Sequence, residues 1–120
     1  MRVLLGGLLL TLIALQLGVA QGSCLLSAAP YQLASDTVNW SMTIGSGQSC
    51  IRGLRGPWNT LDSITLLTPP EFGQVAFQGP GLRYTAKPNY HGQDFFAILL
   101  SGEIFGVKGK STVQVVVSVK

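Results

Sequence analysis

His91 and Asp94 stand three positions apart in the run PNYHGQDFF. An imidazole and a carboxylate at that spacing could work as general base and orienting acid, with Ser101 or Ser111 supplying a nucleophilic hydroxyl. Such a trio is defined by geometry, which chain order leaves open, and the single histidine of the chain, flanked by Gly92, is read first as a solvated turn residue. On that reading the chain is not an enzyme, and a secreted hydrolase using His91 and Asp94 is the lesser alternative. Metal chemistry lacks its usual signatures: neither HExxH nor CxxC occurs, and Asp36, Asp62, Glu71, Asp94 and Glu103 are singly spaced. No metal and no cofactor are expected. Gly109-Lys110-Ser111 ends like a phosphate-binding loop, but Ile104 stands where the first glycine is needed. The valine run that follows could not be the helix whose N-terminus holds phosphate.

Three further features invite chemistry. Trp58, between Pro57 and Asn59, could stack on a sugar ring as a ligand contact, which would make the domain a small carbohydrate-binding module. The reading placed before it is a side chain that covers one end of the fold. Asn39-Trp40-Ser41 has the form of a glycosylation site but falls within a strand pattern and is taken as accidental. Cys24 and Cys50 are the only cysteines and allow one pairing, so a disulfide between them is expected wherever the compartment permits it.

The N-terminus bears on that compartment. Arg2, the apolar stretch from Val3 to Leu15, and small residues at Gly18 and Ala20 form the three regions of a bacterial-type secretory signal, cleaved after Ala20. Residues 1–20 are thus expected to leave, and residues 21–120 to form one domain that is secreted or periplasmic, with no membrane span remaining. A lipoprotein signal with Cys24 carrying the lipid ranks second, and an uncleaved anchor third, since Val3 to Ala20 is barely long enough to span a bilayer. The apolar fraction of 47% is inflated by this segment, while charged residues are only 11%. The net charge of +3 includes Arg2, and the other basic residues are scattered, so the basic stripe that nucleic acid requires is missing.

The elements that must position these residues are strands. Val38, Trp40, Met42 and Ile44 alternate with Asn39, Ser41 and Thr43, and a turn follows at Gly45 to Gln48. Ser49 to Arg55 is ambiguous. Ile64 and Leu66 mark a short strand ended by Pro69-Pro70, and Val75 and Phe77 begin a hairpin that turns at Gly79-Pro80-Gly81 and returns through Leu82, Tyr84 and Ala86. Phe95 to Leu100, apolar on both faces, predicts a central strand covered on two sides or flanked by bulky loops. Gly102 to Gly109 predicts a turn region with a short strand at Ile104 to Val107, and Val113, Val115, Val117 and Val119 form the last strand face. Six or seven short strands without helical periodicity predict an all-β sandwich whose core is led by Trp40, Phe77, Tyr84, Phe96 and the C-terminal valines.

Thr68 to Lys120 resembles the bacterial immunoglobulin-like and cadherin-like repeats of surface and secreted proteins. The residues that carry the resemblance are Pro70, Gly73 and Val75, then Tyr84, then Tyr90, Gly92, Asp94 and Phe96, and finally the valine strand. It covers a little under half of the chain, and residues 21–67 carry no motif of that family. The resemblance implies an immunoglobulin-like sandwich with Greek-key connections. The chain departs from the family at Ala86, where a proline is usual, and in lacking acidic interdomain motifs, which argues against calcium. In the corner PNYHGQDFF, Gly92 is expected at positive φ, Asp94 is expected to accept backbone N–H bonds, and Tyr90 to bury its ring and bond through its hydroxyl. The function expected is a structural, adhesive or protein-binding role toward a protein or surface polysaccharide. Open strand edges offer a further route to partners.

Overall fold

Side chains on a strand point alternately to opposite faces, so a sequence apolar at every second position folds as sheet with one face inward. The computed structural model describes residues 24–120, which form eight strands: β1 (Leu25–Ala28), β2 (Asp36–Ile44), β3 (Ser49–Gly53), β4 (Asn59–Thr68), β5 (Gly73–Gln78), β6 (Gly81–Ala86), β7 (Gly92–Ile104) and β8 (Val107–Val119). They build two sheets, a five-stranded one in the order β1-β2-β8-β7-β4 and a three-stranded one in the order β3-β6-β5. Neighbours are antiparallel except β2 and β8, which run parallel from Asp36 opposite Ser111 to Ile44 opposite Val119. The all-β, two-sheet architecture is as expected from the alternation.

The core lies between the sheets. Trp40, Met42 and Ile44 of β2, Phe96, Ile98 and Leu100 of β7, and the four alternate valines of β8 face Cys50, Leu82, Tyr84 and Ala86 of the smaller sheet. The Tyr84 and Phe96 rings stack across it with centroids 5.6 Å apart. Each large apolar side chain so buried contributes about 1.5–3 kcal/mol.

Four local expectations are corrected. Phe77 is not a core residue: it faces inward from β5, the last strand of its sheet, and stays 36% exposed beside Leu61 and Ile64 in an open cleft. β4 is a ten-residue strand, not a short one, because register shifts between Leu61 and Ser63 and between Leu66 and Thr68 break the alternation that would have marked its full length. Gly102 to Gly109 is mostly strand. The turn is only Phe105-Gly106, with φ of 49° and 79°, the doubly left-handed pair of a type I′ hairpin turn, and Ile104 and Val107 pair across it. β7 is an interior strand of its sheet, yet its outer face is only partly covered: Ala97 is buried, but Phe95 and Val116 sit opposite each other and are both exposed.

The two sides of the sandwich differ. On one, the disulfide between Cys24, just before β1, and Cys50 of β3 joins the edges of the two sheets, with the Cα atoms 5.5 Å apart. On the other, β4 and β5 face each other across the cleft that holds Phe77.

Candidate functional site

Asp94 opens the buried part of β7 and points inward, 7% exposed. Its Oδ1 accepts hydrogen bonds from Glu71 N (3.0 Å) and Phe95 N (2.9 Å), and its Oδ2 from Phe72 N (3.1 Å) and the Tyr84 hydroxyl (2.7 Å). One carboxylate thereby ties the loop after β4 to both sheets. None of the four donors is His91, which is exposed at the surface of the turn. Burial, then the hydrogen bond to Asp94 and its charge, push the Tyr84 phenol well above its ordinary pKa. The Tyr90 hydroxyl donates to Gln93 O (2.5 Å), and its ring, half-buried, stacks on Phe72 with centroids 4.2 Å apart. Gly92 has φ +149°, and a Cβ there would lie 2.8 Å from the Tyr90 hydroxyl.

The serines considered as nucleophiles are elsewhere. Ser111 is buried, accepts from Leu33 N (2.8 Å) and donates to Asp36 Oδ1 (2.5 Å). Asp94 is opposite Val117 and Leu100 opposite Ser111, so six residues of strand, about 20 Å, separate Asp94 from Ser111. Ser101 pairs with Lys110, further still along the same strands. Asp36 also accepts from Gln32 N and Ala34 N. Burial alone would raise its pKa, but the bonds from Ser111, Ala34 and Gln32 outweigh it and hold the carboxyl below its usual value. The Gly109-Lys110-Ser111 run acts as a seat for this loop. A Cβ on Gly109 would come 1.7 Å from Leu33 O, and Lys110 O accepts from Ser35 N.

The end of the sandwich carrying Trp58 has the clearest concavity. A cleft of about 330 Å³ is lined chiefly by Tyr31, Trp40, Arg52, Leu54, Trp58 and Ile104. Two of its polar side chains are engaged internally: Tyr31 Oη donates to Leu54 O (2.5 Å) and accepts from Asn59 Nδ2 (2.7 Å), while Asn59 Oδ1 accepts from Gly56 N (2.6 Å). Burial raises the Tyr31 pKa, and the Asn59 bond offsets this only in part. The Arg52 guanidinium lies 5.9 Å from the centroid of the Trp40 ring, whose Nε1 donates to Ala29 O (2.7 Å). Trp58 does not cover this end as expected. It is 69% exposed and leans on Phe105, itself 78% exposed, with ring centroids 5.8 Å apart, while buried Leu54 fills the end. Phe105 was not singled out by sequence reasoning, and its only signal there is an aromatic beside Gly106 in a turn.

Asn39 and Ser41 are exposed on the outer face of β2, with Trp40 buried between them. Among the described residues no group of three or more His, Cys, Asp or Glu could hold a metal ion, and no helix is long and apolar enough to cross a membrane. The proposed signal segment, residues 1–20, lies outside the described residues. No protein-family model matches the chain, and no curated protein matches it.

Proposed function

We propose that this chain is an exported, non-enzymatic immunoglobulin-like module whose work is contact with another macromolecule, foremost a protein, outside the cytoplasm. The observation that carries the reading is the Trp58 and Phe105 pair: two aromatic rings from separate loops, held 5.8 Å apart in solvent beside an apolar cleft. Aromatic anchors on fixed backbone are the side chains that dominate protein interfaces, and a folded domain has little reason to expose two together otherwise.

Strand order supports the immunoglobulin-like assignment. In that fold strands B, E and D share one sheet and C, F and G the other. β3, β6 and β5 occupy the first set of places and β4, β7 and β8 the second. The disulfide is compatible with export, because such bonds persist in oxidising compartments. Against catalysis stand the saturation of Asp94 by internal donors and its distance from Ser111.

A carbohydrate-binding module centred on Trp58 is the second reading, favoured by the exposure of that ring. Sugar hydroxyls need polar partners beside the stacking face; Tyr31 and Asn59 are already engaged, which leaves the Arg52 and Arg55 guanidinium groups to serve them. Cross-linking pull-down from the producing cell's envelope, with wild type beside Trp58→Ala/Phe105→Ala, tests the proposal. A defined protein partner lost in the folded double variant supports it. Equal capture by both proteins overturns it, and Trp58-dependent fluorescence quenching by glycans would establish the second reading instead. An enzymatic activity abolished in a folded His91→Ala variant would restore the hydrolase.

A further inference from the structure

Four strands end the sheets: β1 and β4 in the larger, β3 and β5 in the smaller. An open edge recruits other strands unless it is short, bulged, charged or broken by proline. Three of the four have such protection. β1 has four residues and is tied by Cys24 to β3, β4 carries two register shifts with Asp62 inside one of them, and β3 bears Arg52 and the disulfide. β5 has none. Its six residues, GQVAFQ, include no charge and no proline, and they pair with β6 in unbroken register.

Backbone alternation shows which groups of β5 are open. Lys87 N donates to Phe72 O (3.0 Å), extending the ladder in which Gly73 is opposite Ala86. Bonded and non-bonded pairs alternate in an antiparallel ladder, so Phe72, Gln74, Ala76 and Gln78 bond toward β6. Gly73, Val75 and Phe77 turn their N–H and C=O groups outward, where no described residue pairs with them. The inward-facing Phe77 ring is also left partly uncovered on this side.

We propose that two copies of this chain pair β5 against β5, antiparallel, about a two-fold axis at Ala76. The register follows from two requirements: opposed residues must share a face, and outward backbone groups must meet. Val75 then lies opposite Phe77 of the second copy, and Phe77 opposite its Val75, giving four main-chain hydrogen bonds. Gln74 meets Gln78 of the second copy on the outer face, and the two Ala76 residues meet at the axis. The alternative register centred on Val75 would set Phe77 against Gly73, which has no side chain to pack, whereas aromatic and β-branched residues are favourable cross-strand partners. The contact is isologous and closed, and it turns two three-stranded sheets into one of six. It rests on observations other than the Trp58 and Phe105 pair.

Sedimentation equilibrium on the exported, disulfide-bonded protein tests this. A reversible dimer is expected, because one strand pair is a small interface. Val75→Pro removes an outward N–H and leaves the β6 ladder intact, and Ala76→Glu sets like charges face to face at the axis. Each should raise the dimer dissociation constant about tenfold or more without loss of the folded state. If Val75→Pro fails to fold, Ala76→Glu decides alone. Under oxidation Ala76→Cys should form a covalent dimer and Gln74→Cys should not. A protein monomeric up to about 1 mM, a dimer insensitive to Ala76→Glu, or equal cross-linking at both cysteine positions would each overturn the proposal.

Discussion

The Tyr84 hydroxyl donates a 2.7 Å hydrogen bond to Asp94 Oδ2, joining β6 of the smaller sheet to β7 of the larger across the end of the core. The same carboxylate holds Glu71 N, Phe72 N and Phe95 N, so its removal strands four donors at once. Asp94→Ala should cost about 3–5 kcal/mol, a large share of the stability of a domain this size. Urea denaturation of the purified protein measures it, and a loss under about 1 kcal/mol would show that water replaces the carboxylate.

Alkaline stability should follow the same pair. The folded Tyr84 phenol titrates above its unfolded value of 10.0. Its contribution is therefore complete below pH 10 and is lost as pH rises from there toward the raised folded value. Tyr84→Phe should be less stable at neutral pH by about 1.5–3 kcal/mol, with a flatter decline above pH 10. Melting temperatures of the two proteins from pH 8 to 11.5 give the comparison, and parallel curves would place the alkaline transition in another group.

Acid stability has a second contributor, Asp36. Its folded pKa is below the ordinary 3.8, so its contribution is present above that pH and fades as pH falls through the lowered folded value. Asp36→Asn should shallow the acid limb of the stability profile and loosen the loop seated on Ser111. Identical acid limbs for variant and wild type would count against this role.

What the chain revealed before its structure was known divides along physical lines. Period-two alternation is a local property, and β2, β6 and β8 could be read directly from it. β4 could not, because register shifts at Asp62 and Leu67 change the phase and hide a long strand. Phe77 has the type and phase of a core residue, and only sheet order reveals that it lies on an open edge. Asp94 was legible as an acceptor of backbone bonds, but its bond to Tyr84 depends on how the sheets face each other, and no spacing encodes that. Likewise Trp58 could be marked as an aromatic in a loop, whereas its neighbour Phe105 comes from a hairpin 47 positions later in the chain.

Two glycines should differ in what they tolerate. Gly92 has φ +149° and meets only the end of the Tyr90 side chain, so Gly92→Val should cost on the order of 1 kcal/mol or somewhat more. Gly109 has backbone against it: a Cβ would lie 1.7 Å from Leu33 O and force the loop off β8. Gly109→Ala should therefore be the more damaging change despite its smaller side chain. Thermal melts in the reverse order would mean that backbone strain at position 92 outweighs the collision at 109.

The disulfide should set the stability of the N-terminal edge. Cys24 and Cys50 are 26 positions apart, so closing the loop restricts the unfolded chain by roughly 3–4 kcal/mol on the chain-entropy account. In the folded state the bond also holds β1, four residues long and paired only to β2, against β3 of the opposite sheet. Reduction should thus lower the melting temperature and expose β1 first, because a strand of that length has little else to retain it. Cys24→Ala/Cys50→Ala is the suitable variant, since Cys50 is buried and a serine there would place a hydroxyl in the core. Hydrogen exchange should show lost protection at Leu25–Ala28 before the rest of the larger sheet. Intact mass and maleimide labelling of the exported, denatured, unreduced protein decide the covalent state. Two reactive thiols would refute the bond, and a lipid mass on Cys24 would establish the thioether that competes with it for the same sulfur.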